Sequence, residues 1–319
     1  MIERVEVISS TRLPVDEVLE IKRCRYQSRQ TRNRELKRLS IVTGTHGDEL
    51  EGQYVAFMVA QRIKEHPELL NGTVDIYPAT NPLGIDCIER GIPGFDLDMN
   101  RVFPGNGHGT MVDIIARDIV ESLDGSDLVL DIHASNIFLT EMPQARINEN
   151  MGETLLPIAE KLNLDFLWVH PNATVLESTL CYSLNVRNVP CVVIEAGVGM
   201  RITKEYCVQL TDGIFNIMRD MGMWLGDDVY VGEKHTCVTS EGREVFFMNA
   251  TASGIFVQAA KHASYLKKGD HIGDIVDPLT GTVRDKVLSP CDGLLFTIRE
   301  YPVVYEGSLI ARLLGGADK

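Results

Sequence analysis

Three short apolar runs constrain this chain most, because each leads into a group that can do chemistry. Leu39, Ile41 and Val42 precede His46. Leu128-Val-Leu-Asp-Ile132 precedes His133, and Cys191-Val-Val-Ile194 precedes Glu195. Apolar runs of this length read as strands buried on both faces. Helical spacing fills the gaps. After Glu49 the residues Leu50, Tyr54, Phe57 and Met58 share one helix face. Thr110-Met-Val-Asp113 reads as the capped start of a helix running to about Leu123. Further helices are expected over about 149–162 and 203–222, and Thr73–Ala79 reads as another strand. This alternation predicts an α/β sheet covered by helices on both faces. Sites in such sheets form at the carboxyl ends of strands. Groups far apart in sequence can therefore meet there.

His46 and Glu49 stand three residues apart on a strand-to-helix turn, Gly44-Thr-His-Gly-Asp-Glu49. Imidazole nitrogen and carboxylate oxygen are both good zinc ligands, and His133 supplies a third. Two imidazoles and one carboxylate make the ligand set of many catalytic zinc sites. Glu195 closes an apolar strand, where a carboxylate is either paired or functional. Beside zinc it could act as general base and then return the proton to a leaving amine. The structural alternative is a buried ion pair with an arginine. Asn100 and Arg101, in Phe95-Asp-Leu-Asp-Met-Asn-Arg-Val-Phe-Pro-Gly105, are adjacent polar residues in an apolar setting. An arginine fork there suits a substrate carboxylate. The other histidines (His66, His108, His170, His235, His262 and His271) lack partner spacing and read as surface or locally bonded.

Composition removes several function classes. A net charge of -14 disfavours nucleic acid as a partner. No run approaches the roughly 18 apolar residues of a membrane span, and Met1-Ile-Glu-Arg-Val-Glu6 lacks a signal-peptide core. The expected address is cytoplasmic. The seven cysteines are widely spaced without C-x-x-C, so they read as reduced and mostly buried. Lys22, Arg23, Arg25, Arg29, Arg32, Arg34, Lys37 and Arg38 form a basic stretch that reads as a solvated hairpin or edge-strand face. After Trp224-Leu-Gly-Asp-Asp228 the pattern changes to short β-like runs broken by Gly, Pro and Asp. That predicts a catalytic domain over 1–228 and a small all-β barrel or sandwich over 229–319.

Together these segments resemble the succinylglutamate desuccinylase/aspartoacylase family, relatives of the zinc carboxypeptidases. The matching pieces are Gly44-Thr-His-Gly-Asp-Glu49, Asn81-Pro-Leu-Gly84, Asp98-Met-Asn-Arg101, Asp131-Ile-His133 and Ile194-Glu-Ala-Gly197. The resemblance implies a zinc carboxypeptidase-like mixed sheet and one zinc per chain. It implies His46, Glu49 and His133 as ligands, Glu195 as acid/base, and Asn100 and Arg101 as substrate contacts. Arg90 falls where family members carry an arginine near the reacting carbonyl. Arg146 is a further candidate for a substrate acid group. The tail is similar to the biotinyl/lipoyl-type barrel of the family's bacterial deacylases, but Asp277-Pro-Leu-Thr-Gly281, where an acylated tip would stand, has no lysine. The expected activity is zinc-dependent hydrolysis of an N-acyl amino acid or related small N-acylated amine. A metallocarboxypeptidase acting on short peptides and a non-catalytic metal-binding or ligand-binding protein remain alternatives. A homo-oligomer is left open.

Overall fold

The computed structural model describes residues 1–29, 36–171, 176–226 and 235–316. An antiparallel hairpin comes first, β1 (Ile2–Arg12) and β2 (Val18–Gln27). Next come β3 (Arg38–Val42), α1 (Glu51–Glu65), β4 (Thr73–Tyr77) and the short α2 (Pro82–Cys87). A 3-10 turn over Met99–Arg101 leads to α3 (Met111–Leu123), β5 (Leu128–His133) and β6 (Leu139–Asn148). Then follow α4 (Gly152–Ala159), β7 (Phe166–His170), α5 (Leu180–Asn185), β8 (Cys191–Gly197) and α6 (Lys204–Asp220). The remainder is β: β9 (Val238–Thr239), β10 (Val245–Asn249), β11 (Gly254–Gln258), β12 (Ser264–Leu266) and β13 (His271–Asp277). It closes with β14 (Thr282–Leu288), β15 (Gly293–Arg299), β16 (Val303–Val304) and β17 (Leu309–Gly315).

The main sheet runs β1-β2-β4-β3-β5-β8-β6-β15-β17-β10. Its centre, β4-β3-β5-β8, is parallel, and antiparallel strands flank it, so the sheet is mixed as expected. Side chains alternate faces along a strand, and the two cores divide accordingly. Leu39, Ile41, Leu128 and Leu130 pack against α1, α4 and α6 through Val55, Leu155 and Leu210. Val42, Tyr77 and Val129 pack against α3 and α5 through Ile115 and Leu184. Each such side chain, fully buried, contributes about 1.5–3 kcal/mol. Thr110 caps α3 with a reciprocal bond to Asp113. The buried face of α1 differs from the expectation. It centres on Val55, Val59 and Ile63; Tyr54 and Met58 pack against the core partly buried, while Phe57 is 56% exposed. Two stripes share helical spacing in this segment. The sheet takes the smaller branched side chains, which fit closer to its surface.

The basic stretch begins on a hairpin strand, one of the two expectations, but not on an edge. β2 lies between β1 and β4, so it is not an edge. Arg25 holds the fully buried Asp75 with two bonds of 2.7 Å, and Arg38 Nε joins at 2.9 Å. The arginines thus neutralise a buried acid instead of guarding an edge. Arg32 and Arg34 lie outside the described residues.

The C-terminal strands form an antiparallel β-sandwich. β14-β13-β11-β16 is one layer and β12, β15, β17 and β10 the other, enclosing Phe256, Ile275, Leu295 and Leu313. The second layer is continuous with the main sheet, because β15 pairs with β6 at Thr297↔Glu141. β6 is the junction strand. One edge pairs with β8, and the other pairs first with β15 and then with β7. The expected boundary at 228 lies outside the described residues. Asp277 closes the β13–β14 turn by accepting bonds from Leu279, Thr280 and Arg284. No helix of the described residues is long and apolar enough to cross a membrane.

Candidate active site

The parallel strands β3, β5 and β8 are neighbours, so the groups at their carboxyl ends converge. His133 pairs with Glu195 across the β5–β8 ladder. His46 lies on the turn after β3. That turn needs Gly44, at φ +65, and Gly47, whose Cβ would stand 1.9 Å from the backbone of Gly84. The close approach seats the turn on α2. Asn81 fixes α2 by accepting from Gly84 N and donating to Gly91 O, which also anchors the loop carrying Arg90.

His46, Glu49 and His133 are buried and offer one ligand atom each, all within 4.8 Å of one another. His46 Nδ1 is 2.8 Å from Glu49 Oε1, and His133 Nδ1 is 3.0 Å from Glu49 Oε2. The two Nδ1 atoms are 3.3 Å apart. Ligands at about 2.1 Å around a tetrahedral ion stand roughly 3.4 Å from each other, so slight widening of this spacing suits a cation. The far ring nitrogens support this. His46 Nε2 is 2.9 Å from Asp98 Oδ1, and His133 Nε2 is 3.1 Å from Asp131 Oδ1. Asp98 hydrogen-bonds Nε2 of His46, and the charge of Asp131 beside Nε2 of His133 favours the proton on that nitrogen, which leaves both Nδ1 lone pairs free for metal. The residues present therefore fit a metal ion. The charges agree: burial opposes ionised forms, but the imidazoles outweigh it and hold Glu49 and Asp98 below the usual carboxylate range. Burial likewise opposes the charged rings, yet Asp131 and Glu49 keep His133 well above its ordinary value.

A cavity of about 510 Å3 opens on this cluster, lined by His46, Glu49, His133, Arg90, Asn100, Arg101, Arg146 and Glu195. All the residues singled out from sequence thus meet at one place. Burial pushes the Glu195 carboxyl up to about 7, against the pull of Arg146. Arg146 Nη1 lies 3.2 Å from Glu195 Oε1, so Glu195 has an arginine partner and a cavity position together. Arg90 donates to Glu49 Oε1 at 2.7 Å. Asn100 Oδ1 accepts the first backbone N–H of α5, from Leu180, at 2.9 Å. Arg101 is exposed and donates to the Asn100 carbonyl at 2.7 Å.

Several groups in or behind the cavity wall are not marked by any of the sequence patterns above. Asp131 sits two residues before His133 on the same strand face, so period-two reading could have found it. Asp98 opens the Asp98-Met-Asn-Arg101 motif, whose chemistry the sequence reading places on Asn100 and Arg101. Glu141, His170 and Arg312 were not singled out, and Arg312 comes from β17. His170 is not the surface residue expected. It lines the cavity, its ring centroid 4.2 Å from that of Trp168, and burial followed by Arg146 and Arg312 pushes it down to about 4.

Residues 35–221 match the model of the succinylglutamate desuccinylase/aspartoacylase catalytic domain. A segment of 103 residues is 33% identical to an N-alpha-acetyl-L-2,4-diaminobutyric acid deacetylase of Halomonas elongata, and the match spans 32% of this chain and 30% of that protein. The fold is similar to the crystal structure of a succinylglutamate desuccinylase/aspartoacylase from Rhodobacter sphaeroides. That match has a TM-score of 0.80 and 20% identity over 99% of this chain and 96% of that one. The product-bound ectoine utilization protein EutE (DoeB) of Ruegeria pomeroyi gives a TM-score of 0.79 and 18% identity over 96% and 93%. With the domain match covering more than half of its length, the chain belongs to the succinylglutamate desuccinylase/aspartoacylase family.

Proposed function

We propose that this chain is a zinc-dependent deacylase hydrolysing the amide bond of an N-acyl amino acid or a related small N-acylated amine. The observation that carries this reading is the meeting of two Nδ1 lone pairs and Glu49, each ring backed by a carboxylate, in the cavity that also holds Glu195. His46, Glu49 and His133 would hold the ion. Zinc, when bound, supplies Lewis acidity toward a scissile carbonyl and toward water.

The chain's own residues do the rest. Glu195 takes a proton from the attacking water and delivers it to the departing amine nitrogen. A carboxyl near pH 7 can both accept and return that proton. Arg90, beside Glu49, donates toward the carbonyl oxygen as negative charge grows on it. The Arg101 fork and the Asn100 amide orient a substrate carboxylate at the cavity wall. Arg146 serves Glu195 first. Its guanidinium at the cavity wall is the further candidate for a substrate acid group. Seven unbridged cysteines support a reducing, cytoplasmic setting.

Assaying the zinc-loaded chain against N-acyl amino acids and short peptides tests the reading. Cleavage of acylated single amino acids supports it. Preferential removal of C-terminal residues from peptides would make the chain a metallocarboxypeptidase. Zinc binding without turnover on either panel would make it a binding protein.

A further inference from the structure

A chain of charges links the C-terminal sandwich to Glu195. Arg312, on β17, donates to Glu141 Oε1 at 2.6 Å. Glu141, on β6, is fully buried and accepts Arg146 Nη2 at 2.8 and 3.0 Å and Gln144 Nε2 at 2.8 Å. Arg146 Nη1 then reaches Glu195 Oε1 at 3.2 Å. The local fold makes the contact possible. Residues five apart on a regular strand point to opposite faces. A register shift between Glu141 and Gln144 in the β6–β8 ladder reverses that parity and turns Glu141 toward Arg146. Both guanidiniums stand over the Trp168 ring, at 5.6 Å for Arg146 and 5.2 Å for Arg312. All four charged residues line the cavity.

Charge balance gives Arg312 its role. A fully buried carboxylate binds its counter-charges tightly. With two guanidiniums on Glu141, neither is consumed by it, and Arg146 keeps Nη1 for Glu195. With Arg312 removed, Arg146 is the one cation left on Glu141 beside the neutral Gln144 amide, and that guanidinium turns wholly to it. We propose that Arg312 is a positioning residue, which by neutralising Glu141 holds Arg146 against Glu195 and makes the C-terminal sandwich part of the catalytic apparatus. This rests on the deacylase reading, in which Glu195 moves the proton.

The test uses Arg312→Met, Arg312→Lys and the double variant Arg312→Met/Glu141→Gln in the full chain. Folding is checked by calorimetry. Arg312→Met is expected to lose roughly 10- to 100-fold in kcat with little change in KM, as removal of a supporting charge behind a working group does. Arg312→Lys restores part of this. The double variant no longer has the buried charge that captures Arg146, so it is expected to return to within about threefold of wild type. It also covers the case in which Arg312→Met fails to fold. A folded Arg312→Met with wild-type kcat, or a double variant as slow as the single one, overturns the proposal. A crystal structure of Arg312→Met decides independently of turnover. Arg146 is expected to leave Glu195, and an Arg146–Glu195 contact kept at 3.2 Å overturns the inference even if no amide substrate is ever found. Absence of amidase activity in wild type would instead count against the deacylase reading alone.

Discussion

Replacing Asp131 with asparagine removes one charge and almost no volume. Asp131 is fully buried, and its Oδ1 is 3.1 Å from His133 Nε2. A full positive charge on that ring would attract it by about 5 kcal/mol at an effective dielectric of about 20. A divalent ion held by two imidazoles and one carboxylate carries roughly one net charge over three ligands. The His133 ring then bears about a third of it, and the contact is worth about 2 kcal/mol. That corresponds to ~30-fold in metal affinity, within the range expected for a carboxylate behind a metal-bound histidine. Asparagine keeps the size of the side chain, so the charge alone is tested. Competition titration of zinc against a chromophoric chelator measures the change. A dissociation constant within threefold of wild type, with the metal-free protein folded, would refute the assignment of Asp131 behind a metal ligand.

Three further outcomes follow from the same contacts. Gly47→Ala forces a methyl against the Gly84 backbone and is expected to cost about 1–3 kcal/mol in thermal unfolding and to weaken zinc binding as the turn shifts. Arg146→Met removes the charge that holds the Glu195 carboxyl down, so the rising limb of kcat/KM against pH should move up by roughly one to three units; an unmoved limb shows that Glu195 does not set it. His170 is pushed from 6.5 to about 4, so the unfolded chain binds the extra proton first. Its contribution is intact above pH 6.5 and is lost as pH falls through 4, about 3 kcal/mol in all, and His170→Gln should flatten that part of the stability profile.

The parallel core was legible because β3, β5 and β8 are buried on both faces and read as nearly unbroken apolar runs. The candidate ligands could be gathered from sequence because strand ends in an open sheet meet. β6 was missed for a physical reason. Leu139-Thr-Glu-Met-Pro-Gln-Ala-Arg146 mixes a proline, a buried acid and an arginine, each unfavourable in a central strand by itself. They are tolerated because a register shift and paired charges satisfy them. Arg312 was illegible because its partner Glu141 lies 171 residues away and no local pattern marks the pairing. The α1 face was only partly legible because two stripes fit one period. Only the sheet beneath decides between Val55-Val59-Ile63 and the bulkier Tyr54-Phe57 pair.

A metal-assisted deacylase is tested most directly by comparing wild type with Glu195→Gln, measuring bound zinc and hydrolysis of N-acyl amino acids in the same preparations. Both proteins should carry one zinc per chain, because Glu195 is not among the proposed ligands, and the variant should be slower by about 10²- to 10⁴-fold. Equal turnover in the variant, or a wild type that cleaves these amides without stoichiometric zinc, would contradict it.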